Sequence, residues 1–225
     1  MRKIKRRLVK YIPPPNWPWE IISGLLIVII MVNGLKLFSK DLASVNRVLF
    51  AFEILTVNLI WGTFDGWMVI FTNLLTEGRY NKMILRVKSS DKKLATEIIE
   101  NELNNTIIRR CDKETREQII ELILKSFSST PQSTIEKPKI SRDDIIAAFL
   151  VNFFVLLPCI IILPFFLLIS DLNLAILVSN IIGMGMLFAF GYKLGSCTSR
   201  SKVITGIIIT FIGLAIIIVA IVFHA

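Results

Sequence analysis

The sequence has one histidine, His224, next to its end, and three cysteines, Cys111, Cys159 and Cys197. A single histidine so placed excludes a histidine-based catalytic or metal site anywhere else. No two cysteines form a Cys-x-x-Cys pair, and Cys159 lies in an apolar run, so neither a zinc site nor a disulfide framework is expected. There is no Ser/His/Asp or Cys/His arrangement, no enzyme activity is expected, and no resident cofactor is indicated. Gly191-x-x-x-Gly195 lacks the strand–turn–helix context of a phosphate loop and reads as a packing motif. Charge is also scarce, at 19% of residues against the roughly 25% of a soluble domain.

What the chain has instead is apolar length. Of 225 residues 54% are hydrophobic, and the mean hydropathy is +0.67. This composition points to a polytopic membrane protein. The formal net charge of +9 falls mostly in hydrophilic segments beside apolar ones. Anionic lipid headgroups are therefore the expected electrostatic partner, not nucleic acid.

Residues 1–18 form a basic tail with six Lys/Arg, broken by Pro13, Pro14, Pro15 and Pro18. Trp17 and Trp19 sit where an interfacial aromatic belt would place them. The run that follows is too long for a secretory signal, and no small-residue cleavage site closes it. Residues 19–76 hold two expected spans, Trp19–Phe38 and Arg47–Thr76, joined by a short loop; Lys36 can snorkel to the surface. The second span is longer than one crossing needs, so it tilts or projects.

Residues 77–142 read as a hydrophilic helical insert and linker. Leu94, Ile98, Ile99, Leu103, Ile107 and Ile108 mark one face of a helix expected over Lys92–Arg110. Asp112 is placed to cap a second helix, Lys113–Phe127. Ser128–Lys139, with Pro131 and Pro138, reads as linker. Ser141-Arg-Asp-Asp144 fits a capping box. Residues 143–225 hold three further spans, Ile145–Ile169, Leu174–Tyr192 and Val203–Phe223. Pro158 and Pro164 remove backbone donors from the first of these and are expected to kink it. Gly206 and Gly213, seven apart, suit close helix contact in the last.

The expected fold is thus all-α, with five transmembrane helices and a cytoplasmic helical hairpin between spans 2 and 3. With the N-terminus inside, the inner segments carry twenty-three Lys/Arg and the outer segments three. This places residues 77–142 in the cytoplasm and the C-terminus outside. With no organelle-targeting pattern, a cell membrane is the expected location.

Within this frame one stretch is chemically unusual. Asp65 lies inside a spanning run, between Gly62 and Gly66, and an intramembrane carboxylate is a functional-site hypothesis by default. Asn58, Asp65 and Thr72 are seven apart on one face, a polar stripe suited to an ion or proton path. Glu53 lies on another azimuth, nearer the outer surface. The alternative is that Asn58 and Thr72 hydrogen-bond between helices and Asp65 serves packing. In the insert, Glu97, Glu100, Glu114, Glu117 and Glu121 share helix faces and offer oxygen ligands for a divalent cation. Lys92, Lys93, Arg109, Arg110, Lys113 and Arg116 are interleaved with them, as on a salt-bridged, solvated surface.

The order of two spans, a charged helical insert and three spans resembles the vacuolar iron transporter family, the yeast-type iron and manganese transporters. Trp-Gly-Thr-Phe-Asp-Gly at 61–66 looks like that family's Gly-x-x-Asp-Gly motif. Leu157-Pro-Cys-Ile-Ile-Ile-Leu-Pro164 is similar to its double-proline third span. Gly191 to Ala215 is similar to its last hairpin. The Asp-Gly motif stands here in the second span instead of the first, and the family's Gly-Glu-Tyr signature is absent. The resemblance implies a homodimer that exchanges Fe2+ or Mn2+ for protons. Asp65 is then the path carboxylate, and the five insert glutamates collect metal. The competing expectation is a non-transporting membrane scaffold or regulator whose insert binds a partner or anionic lipid.

Overall fold

In the computed structural model, residues 11–12, 16–38, 45–131, 135–198 and 200–222 are described. The first ten residues of the basic tail, most of the first loop with Lys40, the side chain of Lys36, and His224 lie outside them. The described residues form helices and connecting segments without strands. The helices are α1 (Asn16–Phe38), α2 (Arg47–Ser89), α3 (Lys92–Leu103), a 3-10 turn (Ile107–Arg110), α4 (Lys113–Ser129), α5 (Arg142–Leu168), α6 (Leu172–Gly195) and α7 (Lys202–Val222). Five of them, α1, α2, α5, α6 and α7, are long and apolar enough to cross a membrane.

The chain divides into two compact units. Residues up to Ile70 join Ser141 onward in one, and Phe71–Ile140 make the other. The division falls inside α2, because Phe71–Ser89 continues as helix into the second unit. α2 therefore runs thirteen residues past the expected Thr76.

The first unit is a bundle built around α1, which packs against α5, α6 and α7. More than half of its most apolar stretch is buried, against a third or less in the other four long helices. Ile22, Leu25, Ile29 and Val32 of α1 meet Ile54 of α2, Ile162 and Phe166 of α5, and Ile176 and Leu187 of α6. Apolar residues recur on every side of α1, as expected of a central helix. Glycines set the closest approaches. A Cβ on Gly24 would stand 2.1 Å from the Val155 carbonyl oxygen, so α1 and α5 touch backbone to backbone there. The α6–α7 hairpin is built the same way: a Cβ on Gly191 would meet the Gly206 Cα at 3.0 Å. The packing role expected of Gly191 and Gly206 is what the structure has.

Polar groups fix the ends and the register. Asn46 accepts from the Leu49 amide at 3.1 Å and starts α2, and Asp171 accepts from the Leu174 amide at 2.7 Å and starts α6. The capping box is present: Ser141 Oγ accepts from the Asp144 amide at 3.1 Å, and the Ser141 amide donates to Asp144 at 2.9 Å. The Arg47 guanidinium donates to the carbonyls of Ile169 and Ser170. It thereby satisfies acceptors that the end of α5 would otherwise leave unpaired. Asn33 of α1 and Asn180 of α6 exchange amide hydrogen bonds at 2.8 and 2.9 Å. Pro158 and Pro164 both lie inside α5, which continues through them.

The second unit has its own small core of Val87, Ala95, Ile99 and Ile120, flanked by Met83, Ile123 and Phe127. Asp91 caps α3 through the Leu94 amide at 2.8 Å. The expected helix over Lys92–Arg110 stops at Leu103 instead. Asn104 and Asn105 are weak helix formers, and the Thr106 hydroxyl accepts from the Ile108 amide at 3.2 Å, starting a separate turn. Asp112 caps α4, as expected, accepting from the amide of Thr115 at 2.9 Å and from its hydroxyl at 2.7 Å. These donors hold the Asp112 carboxyl below its usual value, the backbone bond contributing most.

Candidate functional site

The Asp65 stretch is positioned by its two glycines. A Cβ on Gly62 would sit 3.1 Å from the Asn152 Cα, and one on Gly66 would sit 2.9 Å from the Ala148 carbonyl oxygen. α2 can lie this close to α5 only because both positions lack side chains. Asn152 uses the proximity: its Nδ2 donates to the Thr63 hydroxyl at 2.8 Å and to the Leu59 carbonyl at 3.4 Å.

The contact also sets the level of Asp65. Ala148, opposite Gly66, is six residues into α5, about 9 Å from the helix start at 1.5 Å per residue. α5 is 27 residues long, or about 40 Å. Asp65 thus lies in the end quarter of the bundle, not at its centre. Asn58 and Gly62 occupy the middle level instead.

At the Asp65 level α1 contributes a second carboxylate. Glu20, in the second turn of α1, stands near enough to Asp65 for their charges to interact. Both are half-buried. Among the described residues neither is paired with a cation. Two consecutive helices, α1 and α2, therefore each present a carboxylate at one end of the bundle. When both groups are charged they repel; a proton or a cation between them relieves the repulsion.

The remaining expected path residues separate. Asn58 is fully buried. Its Nδ2 donates to the Ile54 carbonyl at 3.0 Å, and its Oδ1 is buried with no partner. Thr72 is exposed and falls in the other unit. A seven-residue spacing advances by slightly less than two whole turns, so a stripe drifts around the helix. Burial falls along it from Asn58 through Asp65 to Thr72. Glu53 is exposed on α2.

The five insert glutamates, Glu97, Glu100, Glu114, Glu117 and Glu121, are all exposed. Glu100 pairs with Arg116 at 3.1 Å and Glu117 with Lys113 at 3.8 Å. Nearby, Glu102 takes Arg79 at 2.5 Å. Among the described residues no three His, Cys, Asp or Glu side chains come together as a metal site. The ion pairs match the salt-bridged surface weighed from the interleaved basic residues.

Sequence patterning overlooked Glu20 and Asn152. Glu20 follows Trp19 at the edge of an apolar run, where a carboxylate reads as interfacial. Asn152 lies among Phe, Val and Leu with no periodic signal. One clue existed for Asn152, since a lone amide in a spanning run calls for a partner on a neighbouring helix.

The class that fold and site define is an all-helical protein with several helices of membrane length and a carboxylate pair at one end of the bundle. No family model matches the chain, and no curated protein matches it.

Proposed function

We propose that the chain is an integral membrane transporter of divalent cations resembling Fe2+ or Mn2+, coupled to protons. It crosses the membrane five times, with the N-terminus and residues 77–142 in the cytoplasm. The observation that carries this is that half-buried Glu20 of α1 and Asp65 of α2 lie within electrostatic reach of each other, and that among the described residues neither is paired with a basic side chain. Carboxylate oxygens are the hard ligands such ions take. Half-buried carboxylates at one end of a spanning bundle stand where an ion or proton would enter it. Cation binding to the pair releases protons, and protonation releases the cation. Two carboxylates are fewer ligands than a divalent ion takes, and a homodimer that pairs equivalent α2 helices supplies the rest. The resemblance to the vacuolar iron transporters supports the same role for Asp65.

The test is uptake of Fe2+ and Mn2+ into proteoliposomes under a proton gradient, comparing wild type with Asp65→Asn and Glu20→Gln. Uptake is expected in wild type and loss of at least about tenfold in each variant. Wild-type transport that survives both substitutions would remove the pair from the path. Absence of transport favours the second reading, a membrane scaffold or regulator. That reading draws support from the insert, whose Glu100 and Glu102 are held by Arg116 and Arg79 instead of standing free for metal.

A further inference from the structure

A second feature, remote from the carboxylate pair, points to a bound lipid. A groove of about 460 Å³ runs between α2 and α5, lined by Leu55, Ile160, Leu163, Pro164, Leu167 and Leu168. Its lining is apolar, Leu and Ile side chains with Pro164 and the buried Cys159, the chemistry of an acyl-chain slot. Pro164 has no N–H to give the Ile160 carbonyl, so one backbone bond of the continuous α5 is missing along this wall. The groove leads toward a cation. Arg47 holds the carbonyls of Ile169 and Ser170, the residues directly after groove-lining Leu168. Leu55 lies eight residues from Arg47 on α2, about 12 Å along the axis.

Two of the five guanidinium donors serve those carbonyls, and the planar fork has others for an anion. Two described acids lie near Arg47 in the sequence or across the loop. Glu53 leaves α2 about 200° around the axis from Leu55, on the opposite side. Asp171 accepts the Leu174 amide through Oδ1 at 2.7 Å, which turns that oxygen into the α6 cap.

From this geometry we infer that the α2–α5 groove is a binding site for an anionic phospholipid, with an acyl chain along Leu163–Leu168 and the phosphate on Arg47. The site requires that the chain lie in a bilayer, and it is independent of transport. A zwitterionic lipid fills the same slot less well, because its ammonium group offsets the charge that Arg47 recognises.

The test is native mass spectrometry of the purified full chain in detergent. The probes are equimolar palmitoyl-oleoyl phosphatidylglycerol and phosphatidylcholine. Wild type should retain the phosphatidylglycerol about tenfold more strongly, the scale of a charge-assisted contact. Arg47→Gln should abolish the preference. Ile160→Trp, at a position 58% exposed, should fill the groove and remove bound lipid without disturbing the core. Arg47 also holds the end of α5, so if Arg47→Gln does not fold, Ile160→Trp decides alone. Equal retention of both lipids by wild type would overturn the inference. So would undiminished phosphatidylglycerol in Ile160→Trp.

Discussion

Replacing Gly24 by alanine tests the seam on which the bundle depends. The added methyl would stand 2.1 Å from the Val155 oxygen, 2.9 Å from its carbonyl carbon and 3.0 Å from its Cα. All three are backbone atoms, so no rotamer change relieves the clash. Ordinary contact begins near 3.4 Å, so α1 and α5 must part by more than about 1 Å. A gap of that size forfeits a quarter to a half of each dispersion contact along the seam. Between spans in lipid, packing of this kind is the main attraction. Overpacking costs about 1–3 kcal/mol, and an unyielding backbone puts Gly24→Ala at the upper end or beyond. Gly185→Ala is the control, because nothing lies within 4 Å of a Cβ there. That substitution should match or exceed wild type, since alanine favours helix over glycine by about 0.5–1 kcal/mol. The assay is thermal unfolding in detergent by tryptophan fluorescence, with Trp17 reporting on the seam from 6.1 Å off Phe154. Equal midpoints for Gly24→Ala and wild type would refute the close approach.

Three further outcomes are expected. Asn33→Leu leaves the Asn180 amide without its partner and should cost about 1–3 kcal/mol; the double substitution Asn33→Leu/Asn180→Leu should recover part of the loss in the same unfolding assay, and additive losses would argue against pairing. The Asp112 cap should be pH-dependent with a defined sign: its folded-state value is lowered, so its stabilisation is full above the unfolded value of 3.8 and fades as pH falls through the lower folded one. Hydrogen exchange of residues 113–117 should quicken over that range in wild type, and Asp112→Asn should flatten the response. A maleimide should label Cys111 and Cys197, which are exposed, and spare buried Cys159 until the bundle is unfolded; intact-mass counting of adducts checks this.

Residues whose role is local were legible in the sequence. Asp112, Ser141 and Asp144 stand at fixed offsets from the amides they cap, and apolar length marked the five long helices to within a few residues at most of their ends. α2 was harder. Thr76-Glu-Gly-Arg reads as the end of an apolar span, yet the helix continues because Met83 and Val87 find a core with α3 and α4. Patterning also carried the next helix too far, since Ile107 and Ile108 keep the apolar spacing while Thr106 recruits the Ile108 amide. The candidate site was half visible. Asp65 announces itself as a charge in an apolar run, but its depth and its neighbour Glu20 follow from where Gly62 and Gly66 set α2 against α5. Such relations join residues far apart in sequence, and periodicity is blind to them.

The Asn33–Asn180 exchange has a consequence in time. Its two partners are 147 residues apart in the chain. At about 5–20 residues per second, the ribosome takes roughly 7–30 s to reach the second amide after making the first. Through that interval Asn33 is already built into an apolar helix, while its partner has not been made. Until then its Nδ2 has only the Ile29 carbonyl of its own helix, at 2.8 Å, and its Oδ1 waits for the Asn180 amide. Assembly of the bundle is therefore not settled helix by helix. It closes only when α6 arrives, and a chain arrested before Asn180 would be held in an unfinished state.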